Sequence, residues 1–245
     1  MSHRFYVDTP ITAGEAVLLG AEAHHLQHVL RGRVGDEVIL LDGSGCEYVA
    51  RVSRLARSQV DLVVLASQQV DRELPCEIVL GVALPKADRQ RWLIEKLVEL
   101  GVARVVPLRT QRSVVHPDPQ SLVKLQRAVK EASKQCGRTR LLQVVELQPL
   151  ATFLQAAPAT ATRWIADPGG GPPGGIPCDG SPCHLAVGPE GGWTEDELAL
   201  ARAAGWQAIS LGARVLRIET ACLVLAALWS QGAIAGGAGA QPAGS

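Results

Sequence analysis

Two glycine turns, each set directly behind a short apolar run, constrain this chain more than any other feature. They lie between His184 and Trp229. Leu185 to Val187 has the apolar character of a buried strand. Gly188-Pro189-Glu190-Gly191-Gly192 breaks it, and glycine allows both a sharp turn and a close approach to the peptide groups. Thr194 and Glu197 then stand at the spacing of a capping box, which predicts a helix start. Gly205 ends that helix, and Gln207 to Leu211 reads as a further strand. A second turn, Leu211-Gly212-Ala213-Arg214, follows it. Ala221 to Trp229 is apolar on every side, which predicts a helix buried all round. Glycine turns at strand ends are where open α/β sheets bind ligands.

The remainder of the chain has two textures. Residues 1–70 are rich in short apolar or alternating runs: His3 to Val7, Glu15 to Leu19, Glu37 to Leu41, Glu47 to Val52 and Val60 to Leu65. Turn signals such as Val34-Gly35-Asp36 and Asp42-Gly43-Ser44-Gly45 separate them. One predicted helix, Ala21 to Leu30, interrupts them. This pattern predicts a small β-barrel. Residues 71–75 form a polar, proline-ended linker. From residue 76 strands alternate with helices: Ile78 to Leu84, the amphipathic Arg89 to Leu100, Val102 to Pro107, the basic Ser121 to Gln135, and Arg163 to Ala166. Alternation of this kind predicts a mainly parallel sheet with helices on both faces, over residues 76–231. Gly169 to Pro182 reads as an irregular loop, and residues 232–245 as a flexible Gly/Ala tail.

Composition narrows the function classes. Of 245 residues, 47% are hydrophobic, so a packed core is expected and disorder is not. Net charge is zero, but Lys86 to Arg140 holds 13 Lys/Arg against 5 Asp/Glu. That excess suits a phosphate-binding face, and equally a set of solvated helix surfaces. The opening residues are too polar for a signal peptide, and no apolar run has the length of a membrane span. A cytoplasmic, reducing setting without a membrane partner is therefore expected. Cys178, Cys183 and His184 make half a metal site, but no second pair at metal spacing accompanies them. His24 and His28 share a helix face with no carboxylate or cysteine aimed at them. No metal is expected.

The common catalytic signatures are missing: no GxxxxGK[ST], no GxGxxG behind a strand, no GxSxG and no HExxH. What is left is polar residues around the two turns. Glu190 caps the following helix or pairs with an arginine, or else it stands at the mouth of a ligand pocket. Arg217, Glu219 and Thr220 precede nine apolar residues. Glu219 and Thr220 also make a good helix start, so pattern alone leaves two readings open.

Five segments, taken together and in order, resemble one family: HHLQHVLRGRVGDEVILLDGSG, LPKADRQRWLIEKLVELGV, EASKQCGR, GPEGGWTEDE and LGARVLRIETA. They resemble the RsmE family, bacterial 16S ribosomal RNA uridine-N3 methyltransferases of the SPOUT superfamily, from Arg4 to about Trp229. The resemblance implies a PUA-like N-terminal β-barrel that binds RNA and a C-terminal α/β domain closed by a trefoil knot. It implies S-adenosyl-L-methionine in the knotted loops, held by Gly188, Pro189, Glu190, Gly191, Gly192, Leu211, Gly212, Val215 and Leu216. Ala166 to Pro168 is a looser candidate for the same pocket. It further implies a homodimer, with the apolar helix 221–229 as candidate contact face, and 16S rRNA of the small ribosomal subunit as partner. Arg217 is the candidate for stabilising a uracil anion. Glu190 or Glu219 is the candidate proton acceptor. Arg31, Arg33, Lys86, Arg112, Gln135 and Arg138 match positions expected to meet RNA. Two other functions remain in view: methylation of another RNA site or atom, and RNA binding in ribosome assembly without catalysis.

Overall fold

A computed structural model describes residues 3–12, 14–174 and 180–237. Cys178, the centre of the Gly/Pro-rich loop and the tail from residue 238 lie outside the described residues. Contacts divide the chain into two units. The first is Met1–Glu73 with Lys130–Leu141, and the second is Leu74–Val129 with Leu142–Ser245.

In the first unit, strands β1 (Arg4–Tyr6) and β2 (Glu15–Leu19) precede helix α1 (Gly20–His24). A π-helical turn, His25–Val29, prolongs α1, so the expected helix 21–30 is two helical forms joined end to end. Strands β3 (Glu37–Leu41), β4 (Cys46–Leu55) and β5 (Gln59–Gln69) complete a curled, half-closed sheet in the order β1-β3-β4-β5-β2. The pairs β2–β5, β3–β4 and β4–β5 are antiparallel, while β1 runs parallel to β3. Alternate residues point inward, as a half-buried strand requires. Leu18, Val38, Leu40, Ala50, Val52, Val60 and Leu62 gather with Phe5 and Leu26 into one core. Burial of each large side chain stabilises the fold by about 1.5–3 kcal/mol.

The second unit supplies β6 (Ile78–Val82), α2 (Ala87–Glu99) and β7 (Arg104–Arg109). Helix α3 (Pro119–Cys136) follows, and its residues from Lys130 onward belong to the first unit. Then come β8 (Gln143–Val144), β9 (Gln148–Pro149), α4 (Leu150–Ala156), β10 (Thr162–Gly171), β11 (Cys183–Val187), α5 (Glu195–Ala203), β12 (Gln207–Ile209) and α6 (Ile218–Gly237). The sheet is parallel, in the order β12-β10-β11-β6-β7-β8, with β9 beside β7. Every residue of β6 is buried, the signature of a central strand covered on both faces. One face packs Val79, Val106, Ile165 and Ala186 against Leu150 and Phe153 of α4 and Ala201 of α5. On α6, Trp229 meets Trp164 of β10 edge to face, with centroids 5.3 Å apart.

Helix α6 corrects one expectation. It is not buried all round. Cys222, Leu225, Ala226 and Trp229 are fully buried, but Leu228 is 39% exposed and Thr220 faces solvent. Leu223, Val224 and Ala227 are half-buried, and Val224 and Leu228 line an open groove with Pro168, Pro172, Pro173 and Leu211.

Candidate active site

The C-terminal ends of β10, β11 and β12 converge on one cleft. Its walls come from Ala166 to Pro168, from the turn after β11, and from residues 211–221. This is where a parallel sheet exposes unpaired backbone groups at a crevice. Of the nine residues proposed to hold the cofactor, all but Gly191 line it. Trp193, Ile218 and Ala221 add apolar wall, and Asp167 and Arg214 add charge.

Local sequence explains the shape. The first turn closes with Gly192 N–H donating to the Pro189 carbonyl at 2.9 Å, and Gly192 has φ +69°, where glycine is favoured. Gly188 is glycine for a different reason. A Cβ there would stand 2.8 Å from Cε2 of the Trp193 indole. That indole is fixed, because its N–H donates to the Ala166 carbonyl at 2.8 Å. Beyond the turn the capping box forms as expected. Glu197 N–H donates to Thr194 Oγ1 at 3.3 Å and Thr194 N–H to Glu197 Oε2 at 2.9 Å. Glu197 Oε1 also accepts from the Gln111 N–H at 2.8 Å, so this buried carboxylate ties the 110–113 loop to α5. Arg112 donates to the carbonyls of Gly191 at 2.7 Å and Trp193 at 3.2 Å. Its guanidinium braces the turn.

The other wall is a bulge. The β10–β12 ladder shifts register between Ala166 and Gly171. Residues 167–170 leave it and turn toward the cleft, with Asp167 accepting from Gly169 N–H at 2.9 Å. At Gly170 a Cβ would lie 2.6 Å from the backbone of Ala208 and Ile209, so two main chains touch there.

Glu190 stands at the mouth of the cleft. Arg89, from the first turn of α2, donates to Glu190 Oε1 at 2.7 Å and to both oxygens of Glu219 at 3.3 Å. Glu219 is buried, while the Glu190 side chain is 63% exposed. The bond and charge of Arg89 hold the Glu190 carboxyl below its ordinary range, and the charges of Lys86 and Arg217 add to this. Glu190 is ionised at neutral pH. Arg217 and Lys86 are both exposed. Three cations thus surround two carboxylates and leave the mouth positive.

The structure joins Glu190 and Glu219 through Arg89, which sequence reading missed, and Arg217 acts on Glu190 only through its charge. Nothing in spacing links residue 89 to 190 or 219. The one signal was chemical: two carboxylates beside apolar runs need a cation. Arg31 and Arg33 are exposed in the first unit, and Gln135 is exposed near the end of α3. Arg138 has another task. It is 5% exposed, and its guanidinium donates to Glu73 at 2.8 Å through Nε and 2.5 Å through Nη2, which commits it to an ion pair within the first unit. The His24 and His28 rings meet at a tilt with centroids 4.7 Å apart, and among the described residues no three metal-ligating side chains cluster.

A parallel sheet with a glycine-lined cleft at its strand ends, open to a cationic mouth, defines a class. Residues 72–230 match the model of the RNA methyltransferase domain, and residues 18–65 that of the RNA methyltransferase PUA domain. A relative from Synechocystis, ribosomal RNA small subunit methyltransferase E, is 36% identical over 90% of this chain and 75% of its own length. A ribosomal RNA small subunit methyltransferase E of Neisseria gonorrhoeae, solved bound to S-adenosyl methionine, superposes with TM-score 0.86 at 31% identity, covering 94% of this chain and 98% of that one. A Legionella pneumophila chain solved with S-adenosylmethionine gives TM-score 0.87 at 28% identity over 94% and 98%. The chain is an RNA methyltransferase with a PUA domain. Within that class it belongs to the ribosomal RNA small subunit methyltransferase E family.

Proposed function

We propose that this chain transfers a methyl group from S-adenosylmethionine to N3 of a uridine in 16S rRNA of the small ribosomal subunit. The observation that carries the reading is the cleft, where residues of both glycine turns meet an apolar wall under a cationic mouth. The cleft fits the cofactor. Gly192 leaves the space of a side chain open, the apolar wall suits an adenine and a methylene chain, and carboxylates at Asp167 and Glu190 suit a cation. The bound cofactor supplies a methyl group already activated on a sulfonium. The protein's share is to align N3 with it and to manage the proton that N3 carries. Arg217, exposed at the start of α6, stabilises the uracil anion through a carbonyl oxygen. Glu190 is the better placed proton acceptor, directly or through water. It lines the cleft, whereas Glu219 is buried with both oxygens on Arg89.

Arg31 and Arg33 in the PUA domain, with Lys86 and Gln135, supply exposed donors for RNA, and the target base must leave its stack to reach the methyl. The outer side of α6 (Val224 and Leu228), with Val215 at 88% exposure, is the surface for a second copy, giving a homodimer in the cytoplasm. Light scattering checks the dimer, and a Leu228→Glu chain should run as a monomer. Mass mapping of 16S rRNA decides the reaction. A deletion strain supplied with this chain should regain one methyl on the base of one uridine. A methyl on a ribose, or none, overturns the proposal.

A further inference from the structure

The ion-pair bridge of Arg89 joins three segments that are remote in the chain. It sits in the first turn of α2 and reaches Glu190 in the glycine turn and Glu219 in the first turn of α6. Both carboxylates flank the cleft, and Arg89 itself is not among its lining residues. One guanidinium can serve two carboxylates because its donors leave in a fixed planar fork. Here Nη2 takes Glu190 and Nη1 takes Glu219. A lysine ammonium has no such fork.

We infer that Arg89 is a positioning residue for methyl transfer: it aims Glu190 at the cleft mouth and locks the cofactor turn to the start of the helix that carries Arg217. The inference rests on the proposed reaction. The Glu190 carboxylate gives Oε1 to Arg89, and the residue lines the cleft mouth. Glu219 anchors the far side of the fork from a buried position. The charges around this pair come from every neighbouring segment: Lys86 ahead of α2, Arg217 before α6, and Asp167 and Arg214 on the cleft wall. Arg89 is the one among them that bonds to Glu190, so its removal frees the carboxylate to move and to protonate nearer its ordinary range.

The test uses the full chain with Arg89→Gln and Arg89→Lys, both checked for folding by thermal unfolding. S-adenosylmethionine affinity is measured by calorimetry across pH, and turnover on 16S rRNA across the same range. Arg89→Gln should lower kcat by at least tenfold and weaken the cofactor several-fold. The acid-side loss of cofactor affinity should move to higher pH, into the ordinary carboxylate range. Arg89→Lys should recover part of kcat and the folding temperature but not the wild-type pH limb. Two results overturn the inference. One is an unchanged pH limb and kcat with a raised KM for RNA and a salt slope reduced by about one, which makes Arg89 a phosphate contact. The other is a lower folding temperature with cofactor binding and pH limb intact, which makes the bridge structural only. Failure of the proposed reaction is seen separately, in a wild-type chain that binds cofactor and leaves N3 unmethylated.

Discussion

Gly188→Ala puts one methyl group against the indole that walls the cleft proposed to hold the cofactor. The new Cβ would lie 2.8 Å from Cε2 of Trp193, 3.1 Å from Cδ2 and 3.2 Å from Cζ2, against 3.4–4 Å for ordinary contact. The ring must retreat, and it is hemmed in. Trp193 is buried in the core shared with α4 and α5, and its N–H is bonded to the Ala166 carbonyl. Overpacking of this kind costs about 1–3 kcal/mol, and loss of the hydrogen bond adds about 1 kcal/mol. For a chain of this size that lowers Tm by roughly 5–15 °C. Because the indole lines the cleft, S-adenosylmethionine affinity should also fall by about tenfold or more, equal to about 1.4 kcal/mol. Calorimetric titration and differential scanning read the two effects. Adding Trp193→Phe should make the pair less damaging than the sum of its parts, since the smaller ring leaves the space. Wild-type affinity and wild-type Tm in Gly188→Ala would refute the steric account of the turn.

Three further outcomes follow from particular contacts. Arg138→Ala leaves Glu73 without its partner in a largely buried pair. It should cost about 3–5 kcal/mol in denaturant unfolding and leave the salt slope of RNA binding unchanged. The His184 imidazole has a buried, unpaired Nδ1, and burial, then Arg104 and Arg163, push its pKa down to about 4. Its folded pKa lies below the unfolded one, so stability is full above about pH 6.5 and is lost as pH falls toward 4. The whole shift would be about 3 kcal/mol. Partial exposure screens this to about 1–2 kcal/mol, and His184→Leu should flatten that acid slope. Thr194→Ala removes one half of the capping box and should cost about 1 kcal/mol, read as a shift in denaturant midpoint.

What sequence reveals here depends on whether the cause is local. The strands of the first unit alternate with period two, so Leu18, Leu40, Val52 and Leu62 could be assigned inward from pattern alone. The capping box of α5 is a contact three residues apart and was equally legible. Helix α4 was not. Leu150 to Ala156 is seven residues long, starts behind a proline and carries no side-chain cap, so it has little local signal and depends on Phe153 reaching the sheet. Residues 130–141 gave no sign of joining the first unit. Lys134 goes there because Glu22 meets it at 2.5 Å, 112 residues away in sequence. Arg138 read as a surface cation because its buried partner, Glu73, lies 65 residues off. In the candidate site the glycines were visible and the cation that organises the carboxylates was not, for the same reason. Pattern alone made α6 a helix buried all round because composition cannot separate that from a helix with a half-covered stripe; only the resemblance offered a contact face there.

The parallel ladder has a kinetic consequence. Neighbouring strands β6 and β11 pair Ile78 with Cys183 and Val82 with Val187, and β10, β11 and β12 all deliver a cleft wall. Such non-local pairing closes long loops before it is stabilised, which slows folding. The cleft lining runs from Ala166 to Ala221, a stretch that takes in three strands of the sheet. It exists only after the last strand has docked, so ligand binding selects the fully folded chain. Free cofactor at a hundredfold excess over its Kd would add about 2.7 kcal/mol to the native state. Methyl-donor supply would then govern how long each newly made copy survives proteolysis, as well as how fast it works.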